Sequence, residues 1–199
     1  MKKNQNIGIF LGSFDPVHLG HINIAKFVAN LEWIDKVLLV PLLDAPHKNT
    51  IQASPNRRFK MCQLAAEDHE GIEIENAIIN EKITGYDLNL IHILQNKNPN
   101  AQLHYILGSD VYLNILNWKA IDKLSNMVKF IVFIRDDKHV DQIEYISKNI
   151  SAQTTTIHIK KDNLSSSMIR NCLYNHQSIE KYVNKKVLEY IKKHHLYEL

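Results

Sequence analysis

The stretch FLGSFDPVHLGHINIAKFVANL (10–31) decides how this chain is read. It closes an apolar run, breaks at Gly12, Ser13, Asp15 and Pro16, passes two histidines, and resumes with Ile22, Ala25, Val28 and Ala29 at helical spacing. That is a strand handing over to a helix through a tight turn. Gly12 ends the strand where the backbone must turn or approach a ligand closely. Gly20 removes a side chain at the start of the helix. The free N–H groups and the dipole of a helix start favour an anion. His18 and His21, at i and i+3, face that start from one side and can donate charge-assisted hydrogen bonds to phosphate oxygens. One histidine there reads as a cap or a solvated side chain; a pair flanking Gly20 after the whole GSFDP turn is harder to explain so. A zinc site fails, because no third ligand stands nearby at suitable spacing.

Working outward, short β-branched apolar runs recur at 7–12, 36–41, 103–108, 129–135 and 154–159, with a weaker one, IEIENAII, at 72–79. Near-continuous apolar runs suit strands covered on both faces of a parallel sheet. Amphipathic stretches alternate with them. Ser54 and Pro55 mark a helix start, Ser as N-cap and Pro in the first turn, for a helix to about Asp68. Further helices are expected at 87–97 and 118–125. Strand–helix alternation of this kind predicts a Rossmann-like, doubly wound α/β parallel sheet, with ligands beyond the carboxyl ends of the strands. The last part differs: 165–174 and 178–194 read as consecutive helices, a short C-terminal helical segment. The second puts Ile179, Tyr182, Val183, Val187, Tyr190 and Ile191 on one face, and Lys181, Lys185, Lys186, Lys192 and Lys193 on a solvated outer one. No repeat, low-complexity tract or linker divides residues 1–199, so a single domain is expected.

Length and composition set the outer bounds. At 199 residues the chain can bury a sizeable core, and 45% apolar with 23% charged residues is ordinary for a globular protein. A net charge of +3 and a pI near 8.7 fit a surface that meets anions but are too mild to argue for nucleic acid. Cys62 and Cys172 form no CxxC pair and read as reduced thiols within helices. The first apolar run is too short for a signal core or a membrane span. A cytoplasmic enzyme is expected, with no membrane and no nucleic-acid partner.

A second constellation, LSSSMIRNCL (164–173), follows the last strand. Its serines offer hydroxyls and free N–H groups at a helix start, and Arg170 one turn in can fork onto phosphate. The same residues also make a serine-capped helix with a surface arginine, and alone they leave both readings open.

Together the two segments make the nucleotidylyltransferase pattern, HxGH after the first strand and a Ser-Ser-x-x-Ile-Arg-like motif late in the chain. Over nearly its full length the chain resembles the bacterial nicotinate-nucleotide adenylyltransferases. APHK (45–48) looks like that family's PPHK loop and RFKMCQLA (58–65) like its R-x-x-M helix. ILGSDVYLNILNW (106–118) is similar to its G-x-D segment with a downstream Trp, and VLEYIKKHHLY (187–197) to its ending. Leu11 stands where the family has a second Gly, Ala45 replaces the first Pro of PPHK, and Ser167 replaces a Thr. Asp87 replaces a Thr in the segment TGYDLNL (84–90), which helps recognise the pyridine-ring carboxylate; it reads as a helix cap or as a specificity residue.

The resemblance implies that the 5′-phosphate of nicotinate mononucleotide attacks the α-phosphate of ATP, releasing pyrophosphate, with Mg²⁺ carried by ATP and no protein metal site. A phosphate nucleophile is already ionised, so positioning and charge stabilisation should carry the catalysis. His18, His21 and Arg170 are the implied catalytic residues. Gly12, Ser13, Phe14, Gly20, Gly108, Asp110, Ser165 and Ser166 are implied at ATP, with Asp110 near the ribose or the metal. Lys48, Tyr86, Asp87, Trp118 and Arg135 are implied at the mononucleotide, with Trp118 stacked on the pyridine ring; Trp118 as core and Asp110 as a helix cap are the alternatives. The partners expected are ATP and a pyridine mononucleotide, and a homo-oligomer is allowed. The rival functions are the nicotinamide-mononucleotide and pantetheine-phosphate adenylyltransferases, and, from another class, a non-catalytic nucleotide sensor.

Overall fold

A computed structural model describes residues 5–43, 51–80, 88–160 and 163–197. Six strands form one all-parallel sheet: β1 (Asn6–Gly12), β2 (Lys36–Pro41), β3 (Ile72–Ile74), β4 (Gln102–Gly108), β5 (Val128–Ile134) and β6 (Thr154–His158), in the order β3-β2-β1-β4-β5-β6. Strand order reverses between β1 and β4, which pair with Phe10 opposite Ile106. Ligands in doubly wound sheets bind beyond the strand ends at that reversal.

The two faces of the sheet follow from the period of two along each strand. Ile7, Ile9, Leu11, Leu103, Tyr105, Leu107, Phe130 and Val132 look one way, into a core with α3 (Ala77–Asn80), α4 (Leu88–Lys97), α5 (Ser109–Tyr112), α6 (Ile121–Met127) and α7 (Val140–Asn149). Phe10, Val37, Leu39, Ile106, Ile131 and Phe133 look the other way, into a core with α1 (Leu19–Ala29), α2 (Pro55–Ala66), α8 (Ser166–Tyr174) and α9 (Lys185–Lys193). Covering both faces is what makes the strand sequences nearly continuous in apolar residues. The expected doubly wound α/β architecture is the observed one.

Several boundaries differ from the sequence expectation. The run at 72–79 is a strand only over Ile72–Ile74: the Glu75 N–H makes the last bond to Leu39 O (2.9 Å), and the Glu75 carboxylate then accepts the Ala77 N–H (2.8 Å), turning the chain into α3. The helix expected at 118–125 runs instead over Ile121–Met127, because Ala120 is left-handed (φ 58°) and Trp118 is extended after a 3₁₀ turn, Ile115–Asn117. The helix expected at 178–194 is shortened to Lys185–Lys193. Its N-cap is Asn184, whose side chain accepts from Lys186 N at 2.8 Å, so Ile179, Tyr182 and Val183 lie on the turns before it. Ser54 does precede α2, but its hydroxyl makes no capping bond and the helix ends at Ala66. Helix α7, with Ile143 and Ile146 buried, was not anticipated, although its spacing is amphipathic.

Both cysteines are free thiols; Cys62 is buried in α2, and burial pushes its thiol well above the ordinary range. Lys185, Lys192 and Lys193 are exposed as expected, whereas Lys186 reaches Glu67 and Asp68 beyond the end of α2. Among the described residues, no helix is long and apolar enough to cross a membrane.

Candidate active site

The loop from Gly12 to His18 leaves the carboxyl end of β1 and is held from three directions. Asp15, buried to 1% exposure, is the centre. Its carboxylate accepts the N–H groups of Gln52 (2.9 Å) and Ala53 (3.0 Å) and the hydroxyl of Tyr197 (2.8 Å). Arg170 donates from Nη1 to the Asp15 carbonyl (2.8 Å) and lies 3.8 Å from its carboxylate. Ser166 Oγ donates to Pro16 O (2.9 Å), so α8 is latched to this loop at two consecutive residues. On the far side the fully buried Arg58 donates to Ser13 O (2.6 Å), Leu43 O (3.0 Å) and Ala53 O (3.1 Å). A planar five-donor fork suits this task of tying three separate carbonyls together.

His18 is the residue before α1, extended (φ −140°, ψ 170°), and its N–H donates to Nδ1 of His21 at 3.3 Å. The two imidazoles stack with centroids 3.6 Å apart and planes 22° from parallel. Phe14 meets His21 edge-on at 4.9 Å, so the pair rests on an aromatic floor. A Cβ on Gly20 would come within 3.1 Å of the His18 ring, a tight contact that any side chain there would press against the histidine. Sequence spacing had placed both imidazoles on one side of the helix start, and the geometry agrees.

The helix start is less open to an anion than the sequence suggested. The Leu19 N–H donates to Tyr182 O (2.9 Å) and the His21 N–H to His18 O (3.0 Å). Those two amides are therefore already paired within the protein. Phe14 is also reassigned: its ring is fully buried and its φ is +46°, so its backbone, not its ring, can meet a ligand. Ser165 serves as N-cap of α8, accepting from Met168 N at 3.1 Å, and Ser166 is the latch to Pro16. The capping reading of the serines thus describes the structure, while Arg170, 12% exposed at its side chain, keeps Nη2 beside Ser167 Oγ (3.4 Å).

Across the reversal, β4 ends at Gly108, and Asp110 is exposed at the start of α5. A Cβ on Gly108 would sit 2.5 Å from Asp110 Oδ1, so the carboxylate lies directly over the Gly108 backbone. Arg135 is exposed one residue past β5. Trp118 lies apart from the histidines: half-buried, it meets Tyr105 edge-on at 6.2 Å on the opposite face of the sheet. Lys48, Tyr86 and Asp87 fall outside the described residues.

Sequence reasoning missed Asp15, Arg58 and Tyr197. Asp15 was read only as a turn residue and Arg58 only as part of a helix motif. A buried aspartate and a buried arginine each demand partners, but the partners of the Asp15 carboxylate stand 37 to 182 residues away and those of Arg58 reach 45 residues back, to Ser13. No local pattern announces them.

Comparison with known proteins adds to this geometry. Residues 9–172 match the family described as cytidylyltransferase-like. The protein named "Probable nicotinate-nucleotide adenylyltransferase" of Caldicellulosiruptor saccharolyticus is 32% identical, covering 98% of this chain and 100% of that protein. The protein of the same name from Hydrogenobaculum sp. is 34% identical over 97% of this chain and 98% of its own. Among solved structures, the Plasmodium falciparum nicotinic acid mononucleotide adenylyltransferase complexed with NaAD superposes with a TM-score of 0.72 at 25% identity, covering 98% of each chain.

Proposed function

The chain belongs to the nicotinate-nucleotide adenylyltransferases, within the cytidylyltransferase-like family, and from that premise we infer its reaction and the part each residue plays. The enzyme transfers the adenylyl group of ATP to nicotinate mononucleotide, giving the deamido dinucleotide and pyrophosphate. The observation that carries the site assignment is the stacked His18–His21 pair at the end of the loop to which Arg170 is latched at Asp15.

The mononucleotide phosphate oxygen attacks the α-phosphorus of ATP in line, and the bond to the bridging oxygen of pyrophosphate breaks. Negative charge builds on the nonbridging and leaving oxygens, with no proton to be removed from the nucleophile. Fixed donors are then the main lever available to the protein. We assign His18 and His21 to the α-phosphate side and Arg170 to the leaving pyrophosphate. Gly12, Ser13 and the backbone of Phe14 line the approach. Asp110 and Gly108 face the nucleoside, and Trp118, Arg135 and Lys48 serve the mononucleotide.

Among the described residues, no group of three or more His, Cys, Asp or Glu side chains could hold a metal ion. Mg²⁺ is proposed to arrive with ATP, and no step is routed through a resident ion. The test is transfer of label: ATP labelled at the α-phosphate should yield a labelled dinucleotide only when nicotinate mononucleotide is present. Label appearing in AMP or remaining in ATP would refute the assignment.

A further inference from the structure

Tyr197 follows α9 and has no part in the chemistry assigned above. It is 5% exposed and sits with a left-handed backbone (φ 66°), its hydroxyl on Asp15 Oδ1. Burial, and then the adjacent Asp15 carboxylate, hold its phenol well above the ordinary range, so it stays a hydrogen-bond donor.

Asp15 has two ways of being satisfied. One is the set observed: two backbone N–H groups, at Gln52 and Ala53, and the Tyr197 hydroxyl. The other is the guanidinium of Arg170, already 3.8 Å from Oδ2 and so just short of a hydrogen-bonded ion pair. Arg58, also close, is committed to three carbonyls. In a buried setting a carboxylate that loses a donor pulls strongly on the nearest mobile cation, because opposite charges attract more in a low dielectric. A substrate polyphosphate must compete for that same cation.

We propose that Tyr197 is a positioning residue: by holding the Asp15 carboxylate toward Gln52 and Ala53, it keeps the Arg170 guanidinium available to the polyphosphate of the nucleotide. This rests on the reading of Arg170 as a phosphate ligand. Tyr197 thereby couples the turns beyond α9 to the anion site, through one side chain buried under it.

The test is a double-mutant cycle of wild type, Tyr197→Phe, Arg170→Ala and the double variant, read by calorimetric binding of inorganic tripolyphosphate and by kcat of adenylyl transfer. Losing the hydroxyl should weaken tripolyphosphate binding and lower kcat about tenfold while Arg170 is present, and change either by less than about twofold when it is absent, as coupling between residues that share one hydrogen-bonded partner requires. Equal losses in both backgrounds, or no loss in either, would overturn the proposal. Circular dichroism sets an assay temperature at which all four proteins are folded. Should Y197F not fold, Asp15→Asn replaces it: a neutral amide no longer competes for Arg170, so tripolyphosphate binding should hold or tighten, and weakening would overturn the proposal. If the wild type transfers no adenylyl group, the functional reading fails, yet the tripolyphosphate cycle still decides the role of Tyr197.

Discussion

The loop after β1 and the segment after β4 leave the same edge of the sheet side by side and are held in opposite ways. The first is tied by residues far away in sequence: Arg58, Ser166, Arg170 and Tyr197 all bond to it. The backbone of the second is tied to itself, through Leu113 N to Ser109 O (3.0 Å), Trp118 N to Ile115 O (2.9 Å) and Asn114 Nδ2 to Asp110 O (2.9 Å), and its distant ties run through side chains: Ser109 Oγ near His139 Nδ1 (3.3 Å), and the buried Tyr112 hydroxyl beside Ser147 Oγ (2.9 Å) and Thr154 Oγ1 (2.8 Å). Donors aimed at developing charge work best when they cost no reorganisation, and the first loop is built that way. The loop that carries His18 and the segment that carries Asp110 and Trp118 are thus anchored in different ways.

The strongest way to break the contrast is Arg58→Met. It leaves three carbonyls without their shared donor, and stability should fall by about 3–5 kcal/mol, as when one partner of a buried charged network is removed. Chemical denaturation reads this directly, and a loss under about 1 kcal/mol would show that the loop does not depend on that clamp. Next come His18→Ala and His21→Ala, each expected to lower kcat about a hundredfold or more, as loss of a transition-state donor does. Near-normal turnover in both would remove the histidines from the chemistry. On the other side of the comparison, Trp118→Ala should raise KM for nicotinate mononucleotide about tenfold, the size of one lost stacking contact. KM for ATP should stay within about twofold. Equal rises would make Trp118 a core residue and nothing more.

The smallest effect lies at the opposite edge of the sheet, where His104 bonds Asn6 Oδ1 (3.0 Å) under Trp33. Burial first, and the Lys129 charge second, lower its pKa from 6.5 to about 4. Between those values the unfolded chain binds a proton that the folded chain does not, so stability falls as pH drops through that window and is fully present above it. His104→Gln should flatten that slope in thermal melts taken from pH 7 to 4.5, without altering kcat at pH 7. An unchanged slope would mean that other groups set it.

How much of this was legible in the sequence follows the same division. Strand identity, sheet class and the His18–His21 pair depend on residues close in sequence, and periodicity with spacing exposes them. Ala120 shows the first limit: nothing in its side chain announces a left-handed backbone, so the helix start was misplaced by three residues. Asn184 shows the second: it caps α9 six residues past Ser178, where the sequence expectation starts the helix, and the Tyr182 carbonyl in the intervening turns accepts from Leu19 N, far away in sequence. Asp15 shows the third. A turn aspartate and a buried hub look alike until residues 37 to 182 positions away are brought to it.

The most direct measurement of the central claim is pyrophosphate release from MgATP, with nicotinate mononucleotide and nicotinamide mononucleotide compared at matched concentrations. The account predicts turnover with a marked preference in kcat/KM for the acid. Preference for the amide, or no pyrophosphate with either, would contradict it.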